Sequence, residues 1–222
     1  MTRSQQIRVL AVLVAAAVGL CAEVVTAQAY SYPSLQLPTV STRDYTAAIV
    51  GATGTTALFQ WRERVTRQMH VSLDAGLADP AGDSNLLIFA AGNLGRQLVR
   101  ANGDQPLDVL LTGGLGVSLG GSTRFLRVPI GVSVGHRFGL DGGFALTPYV
   151  HPRISLDVCG RCGAHNDNNS ELSLNFDVGV NFEVNSKFAV RLAGAFSGSE
   201  LLGKNDAFAI GIAWTPAALA TH

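Results

Sequence analysis

Four polar side chains in one short segment have the residue types of acid–base chemistry: Tyr149, His151, Arg153 and Asp157. Their spacing is even, so an extended chain places all four on one face. Histidine is the usual general acid or base near neutral pH. However, no serine or carboxylate stands at a spacing diagnostic of nucleophilic catalysis. Pro148 and Pro152 lie in the opposite phase and remove backbone donors, so strain or a bulge is expected there. A set of paired charges inside a folded domain is the stronger reading, and no catalytic residue is assigned.

Cys159-Gly-Arg-Cys162 follows on the same segment. Three chemistries use such a pair. A disulfide would close a very small loop, with a modest entropic gain. A metal site could recruit His165, Asp167 or Glu171, but zinc sites of this kind normally need a second pair. Thiol exchange belongs to a strand–helix–strand context that is absent here. In a secreted chain two cysteines most often pair, so Cys159 and Cys162 are assigned to a disulfide. Gly51-Ala-Thr-Gly54 lacks the lysine of a phosphate-binding loop and reads as a hairpin turn. No cofactor or metal ligand set is assigned.

The elements that carry these residues are strands. From Glu171 to Glu183, Leu172, Leu174, Phe176, Val178, Val180 and Phe182 alternate with Ser173, Asn175, Asp177, Gly179 and Asn181. This period of two marks a sheet with one apolar and one polar face. Ten such segments are expected, over 45–51, 55–63, 68–77, 86–99, 107–119, 124–137, 144–158, 171–183, 188–197 and 206–214; eight is the nearest other count. Each strand with its connection has about 17 residues, against about 9–11 for a tilted membrane-spanning strand. Compact turns alternate with longer, more polar connections, of which Cys159 to Ser170 is the longest outer one; Gly120 to Thr123 breaks the contrast, being no longer than the turns.

Residues 1–29 are an address. Arg3 and Arg8 precede the apolar run from Val9 to Leu20, and Ala27-Gln28-Ala29 is a cleavage pattern. Together they read as a secretory signal peptide. Residues 30–44, rich in proline and serine, read as an extended N-terminal arm outside the domain. The barrel or sandwich occupies 45–214, and 215–222 form a tail.

Composition then decides which face is wet. Charged residues make up 14% of the 222-residue chain, and the net charge is zero. Average proteins carry about 25%. Such a chain has no electrostatic footprint for nucleic acid. The polar faces are built of small residues, as at Ala207, Ala209, Gly211 and Ala213, which suits a crowded lumen and not bulk water. Tyr45, Trp61, Phe138, Phe144, Phe182, Phe188 and Trp214 fall at strand ends beside the compact turns, where a membrane barrel carries its aromatic girdle. Arg62, Asp74, Asp108, Arg127, Arg137, Tyr149, His151, Arg153, Asp157, Asp177 and Arg191 then form the inward polar network. It fills a lumen and is paired, because an unpaired buried charge is expensive. A soluble secreted barrel with an apolar cavity is the reading that salt-wash fractionation would distinguish.

On these features the chain resembles the small outer-membrane β-barrel proteins of Gram-negative bacteria. The resemblance covers 45–214 and the signal peptide, and it rests on pattern with no fingerprint motif. It implies an all-β closed antiparallel transmembrane barrel in the cell outer membrane. It also implies contact with outer-membrane lipid, and with the outer-membrane assembly machinery during biogenesis. In that family the last strand ends on an aromatic at the chain terminus. Phe208-Ala-Ile-Gly-Ile-Ala-Trp214 fits, though Thr215 to His222 continue past it. The resemblance implies a structural, surface-interaction or narrow passive-pore role. A barrel enzyme acting on lipid or peptide at the membrane surface is the second reading.

Overall fold

The computed structural model describes residues 32–80, 86–120, 123–162, 167–199, 201 and 206–216. The expected signal peptide, 1–29, and residues 30–31, 81–85, 121–122, 163–166, 200, 202–205 and 217–222 lie outside them. Ten strands run in order: β1 Arg43–Gly51, β2 Gly54–Thr66, β3 Met69–Pro80, β4 Leu87–Val99, β5 Asp108–Gly120, β6 Thr123–Gly135, β7 Ala145–Cys162, β8 Asp167–Glu183, β9 Phe188–Ser197 and β10 Ala207–Trp214. A two-residue bridge, Phe138–Gly139, adds to the β7 edge, and a short 3-10 turn spans Asp141–Gly143.

Each strand pairs antiparallel with the next, and β10 pairs back onto β1 with Tyr45 opposite Trp214. The sheet is therefore a closed ten-stranded barrel. Closure leaves no strand with a free side, so the ladder hydrogen bonds are made within the sheet. Both β1 and β10 meet the end of the barrel that carries the 67–68, 100–107, 136–144 and 184–187 connections; we call this the terminal end.

The period of two becomes an inside and an outside. Even-numbered residues of β1 and β2 point inward, as at Asp44, Thr46, Gln60 and Arg62, all buried. Their odd-numbered neighbours point outward. Leu172 is 72% exposed, Ile212 63% and Ile130 62%, and Ile49, Leu73, Ile88, Leu115 and Ile154 each exceed half. A continuous apolar band of this size around a closed sheet cannot face water. It suits hydrocarbon, as in a transmembrane barrel.

Three expectations need correction. The connections do not divide into compact turns on one side and long loops on the other. Cys159 to Ser170 is mostly strand, because β7 continues to Cys162 and β8 resumes at Asp167. The terminal-end connections after β4 and β6 are longer than the far-end hairpin between β1 and β2. The prolines of β7 cause no bulge. The β7–β8 register runs unbroken through Pro148 and Pro152, and the β6–β7 ladder only skips between Gly131–Arg153 and Val134–Val150. A register shift appears instead between Cys159 and Cys162. The third correction concerns the arm. It is extended, but it lies inside the barrel and not outside the domain.

Close packing of the lumen needs glycine at chosen points. Gly179 sits directly opposite Tyr149. A Cβ there would meet the Tyr149 ring and hydroxyl at 2.4 Å. Gly179→Val should therefore destabilise the barrel by about 1–3 kcal/mol through overpacking. Urea unfolding in lipid vesicles checks this; an unchanged midpoint would refute the packing argument.

Candidate functional site: a lumen filled by the N-terminal arm

The lumen has two halves. Toward the far end it holds an apolar cluster, in which Val50, Leu58, Phe89 and Phe125 are buried inward and pack with small residues such as Ala78 and Ala209, and beside it lies the buried Arg127–Asp157 pair. Toward the terminal end it is polar, and residues 32–42 enter here from the start of β1. Tyr32 lies deepest, stacked on Phe89 with ring centroids 5.0 Å apart. Leu35 is wholly buried, and its φ of +49° turns the chain inside the barrel. A non-glycine residue adopts that conformation only where its surroundings hold it.

The hold comes from the wall. Arg62 on β2 donates Nη2 to the carbonyls of Ser34 and Leu35, at 3.2 and 2.7 Å. Gln60 also donates to the Ser34 carbonyl. Asp177 on β8 accepts from both the amide and the hydroxyl of Ser34, at 3.0 and 2.7 Å. Ser133 donates to the Gln36 carbonyl at 2.7 Å. Gln97 brackets the lower arm: its Oε1 accepts from Val40 N, and its Nε2 donates to the Pro38 carbonyl. An extended segment buried in a barrel has backbone groups that must find partners. Here the inward polar side chains supply them.

Around the arm most of the charges are paired. Arg191 donates Nη1 to Asp44 at 3.0 Å, and Arg62 lies 4.0 Å from the same carboxylate. Arg153 donates to Asp177 at 2.6 Å. Arg127 grips Asp157 with two bonds of 2.7 Å, and its guanidinium lies 5.5 Å from the Phe125 ring centroid. Ser173 adds a third bond to Asp157. Between arm and wall remains a cavity of about 40 Å³, lined by residues such as Asp74, Arg127 and His151. That volume holds about two or three waters. The buried Asp74 Oδ1 and Arg153 Nε have no protein partner among the described residues.

The sequence-assigned residues fall into distinct places. Arg62, Asp74, Arg127, Tyr149, His151, Asp157, Asp177 and Arg191 are buried in the lumen, and Arg153 is nearly so. Asp108 is buried but works locally, accepting from Ala101 N at the turn before β5. Arg137 is not in the lumen. Its side chain is 54% exposed at the terminal rim, where it donates to Glu183. That hydrogen bond raises its pKa above the ordinary arginine value. The reason is position: β6 ends at Gly135, so the alternation stops before Arg137. Asp44, Ser34, Gln60 and Gln97 are not found from sequence, nor is His70, a buried β3 residue whose Nε2 lies 3.2 Å from Gln36 Nε2 of the arm. Parity with Thr46 would have found Asp44, one residue before the expected strand. Nothing in the arm's own sequence shows that it turns inward.

The aromatic residues Tyr45, Trp61, Phe138, Phe144, Phe182, Phe188 and Trp214 all lie at the terminal end, none of them buried. Tyr45 stacks on Trp214, and Phe144 on Phe182. Cys159 is buried and disulfide-bonded. The side chain of Cys162 lies outside the described ones.

The polar cluster around His151 resembles a nucleophilic site only in residue type. Ser34 Oγ lies 2.7 Å from both His151 Nδ1 and Asp177 Oδ2. In a working triad the acid and the nucleophile use opposite ring nitrogens of the histidine. Here both gather at Nδ1, and Nε2 is engaged by Thr112 Oγ1 at 2.8 Å. The arrangement anchors the arm, with the Ser34 hydroxyl donating to the Asp177 carboxylate.

Fold and lumen together define a closed β-barrel with a lipid-facing exterior and an interior filled by its own chain. Solved structures similar to it include outer-membrane barrels. The KdgM porin is 7% identical, with 78% of this chain and 99% of that chain covered and a TM-score of 0.42. The N-terminal barrel domain of Pseudomonas aeruginosa OprF is 11% identical, covering 78% and 95%, with a TM-score of 0.39. The Escherichia coli outer-membrane protease OmpT is 10% identical, covering 78% and 97%, with a TM-score of 0.43. No protein-family model matches the sequence, and no curated protein is similar to it.

Proposed function

We propose that this chain is an integral outer-membrane β-barrel that is closed to solutes by its N-terminal arm and serves a structural or surface-interaction role without catalysis. The observation that carries this reading is the arm itself. A pore needs a continuous wet path, and residues 32–40 occupy the polar half of the lumen while side chains such as Phe89 and Leu58 occupy the rest. Ten strands leave little room beyond side chains in any case; open porins have about 16–18. The signal peptide, the lipid-facing band and the one-sided aromatic girdle support the outer-membrane location. The aromatic-ended β10, which closes the sheet on β1, supports recognition by the outer-membrane assembly machinery.

Planar-bilayer recording tests the reading. The refolded mature chain should migrate anomalously on gels until heated, and should give no steady single-channel steps. Regular conductance steps from the intact chain would overturn the closed-barrel proposal in favour of a narrow passive pore. Release into the soluble periplasmic fraction would overturn the membrane reading.

A further inference from the structure

The lipid-facing wall is not uniform. Across β10, β1, β2 and β3 its outward positions form a grid fixed by the strand register. Nearest the terminal rim, Arg43 stands opposite Glu63. The next row holds Tyr45, between Trp214 and Trp61. Deeper in the band come Ala47 and Ala75, on either side of Phe59, and then Ala57 between Ile49 and Leu77. Two surface hollows follow from this pattern. One is lined by Arg43, Tyr45, Trp61 and Glu63; the other by Ala47, Ala57, Ile49 and Leu77. Phe59 and Ala75 line both, so the two are continuous.

From this continuity we infer a binding site for one zwitterionic glycerophospholipid, with its headgroup at Arg43 and Glu63 and an acyl chain in the alanine-floored hollow. The inference rests on the membrane-barrel reading. Arg43 and Glu63 are bonded to each other through Nη2 and Oε1 at 3.0 Å, and their side chains remain 37% and 26% exposed. The pair has no net charge, so it offers little to a purely anionic headgroup. A phosphate next to an ammonium matches it at both ends: the guanidinium takes the phosphate, and the carboxylate takes the ammonium. Trp61 and Tyr45 stand where interfacial aromatics meet the glycerol and carbonyl layer. Below them, alanines recess the wall between Phe59, Ile49 and Leu77 by the depth of a missing side chain.

A second copy of the barrel fits less well. A two-fold contact would set this patch against itself, hollow facing hollow. The other ion pair at the rim, Arg137 with Glu183, is a built-in comparison. It stands beside the stacked rings of Phe144 and Phe182, where the wall is bulky.

The test uses the refolded mature chain in vesicles of equimolar phosphatidylethanolamine and phosphatidylglycerol. Native mass spectrometry then counts the lipid that survives transfer. One phosphatidylethanolamine per barrel is expected, preferred by at least about fivefold, the effect of one interfacial charge contact. Glu63→Gln should bring the two lipids near parity. Ala57→Leu and Ala75→Leu should each remove the adduct, while Arg137→Gln should keep it. Heat-modifiable migration reports separately that each variant is a folded membrane barrel, so failure here leaves the membrane reading intact. The inference is overturned by an absent adduct in the unaltered chain, by an adduct that survives both leucine variants, or by no preference between the lipids. A dimer that Ala75→Leu abolishes would overturn it in favour of a second copy.

Discussion

A mature chain that starts at Ser41, without the arm, should conduct ions where the intact chain is silent. Removing residues 32–40 empties the polar half of the lumen. It strips partners from Arg62, Gln97, Ser133 and Asp177, each of which now bonds arm atoms. A buried polar group left without its partner costs about 1–3 kcal/mol. Water can lower that cost only by entering, and a lumen that admits water to four polar groups has begun to be a pore. The two readouts are therefore coupled. Either single-channel steps appear, or the barrel loses several kcal/mol of stability and its heat-modifiable transition falls. A truncated barrel that stays silent and as heat-resistant as the parent would show that the arm is neither plug nor brace. Tyr32 and Leu35 also leave the apolar cluster near Phe89, so the far half loosens too.

Asp177→Ala should be the most damaging single substitution in the lumen. Its carboxylate is completely buried and accepts from Arg153, from the Ser34 amide and from the Ser34 hydroxyl. Alanine leaves the Arg153 guanidinium buried opposite no charge, and breaking a buried pair in this way costs about 3–5 kcal/mol. It also frees the arm at its middle. Asp177→Asn keeps the shape and one acceptor, so it should cost clearly less. Double replacement of Arg153 and Asp177 by similarly sized apolar residues should recover part of the loss, because it removes both charges together. Urea unfolding in vesicles measures all three. If alanine and asparagine shift the midpoint equally, charge pairing is not what Asp177 supplies.

Much of this architecture is legible from one sequence, and the reason is local. Alternation is a property of neighbouring residues, so β8 could be read from Leu172 to Phe182 before any partner strand was known. Register then followed the same parity. Asp157 and Arg127, assigned inward on separate strands, meet across the ladder. Arg137 failed because alternation holds only while the strand lasts, and the end of β6 is set by the ladder with β7. The expected bulge in β7 failed for a similar reason. Pro148 and Pro152 lack donors, yet Pro152 falls where the β6–β7 ladder skips pairs, Pro148 lies past the end of that ladder, and the β7–β8 register runs through both.

The chain's poverty in charge, its alternation and its terminal aromatics by themselves pointed to a closed barrel of about ten strands with its apolar side outward, with eight as the other count, and the closed ladder sets it at ten. These are one-dimensional patterns that a sheet converts directly into faces. What fills the barrel was decided only by tertiary structure. Pro33, Ser34, Leu35 and Gln36 have no period and no helical or strand signature. Their placement depends on Arg62, Gln97, Ser133 and Asp177, four side chains from four different strands that converge only after closure. A segment with no pattern of its own is positioned by its partners, and those partners are scattered over more than a hundred residues of chain.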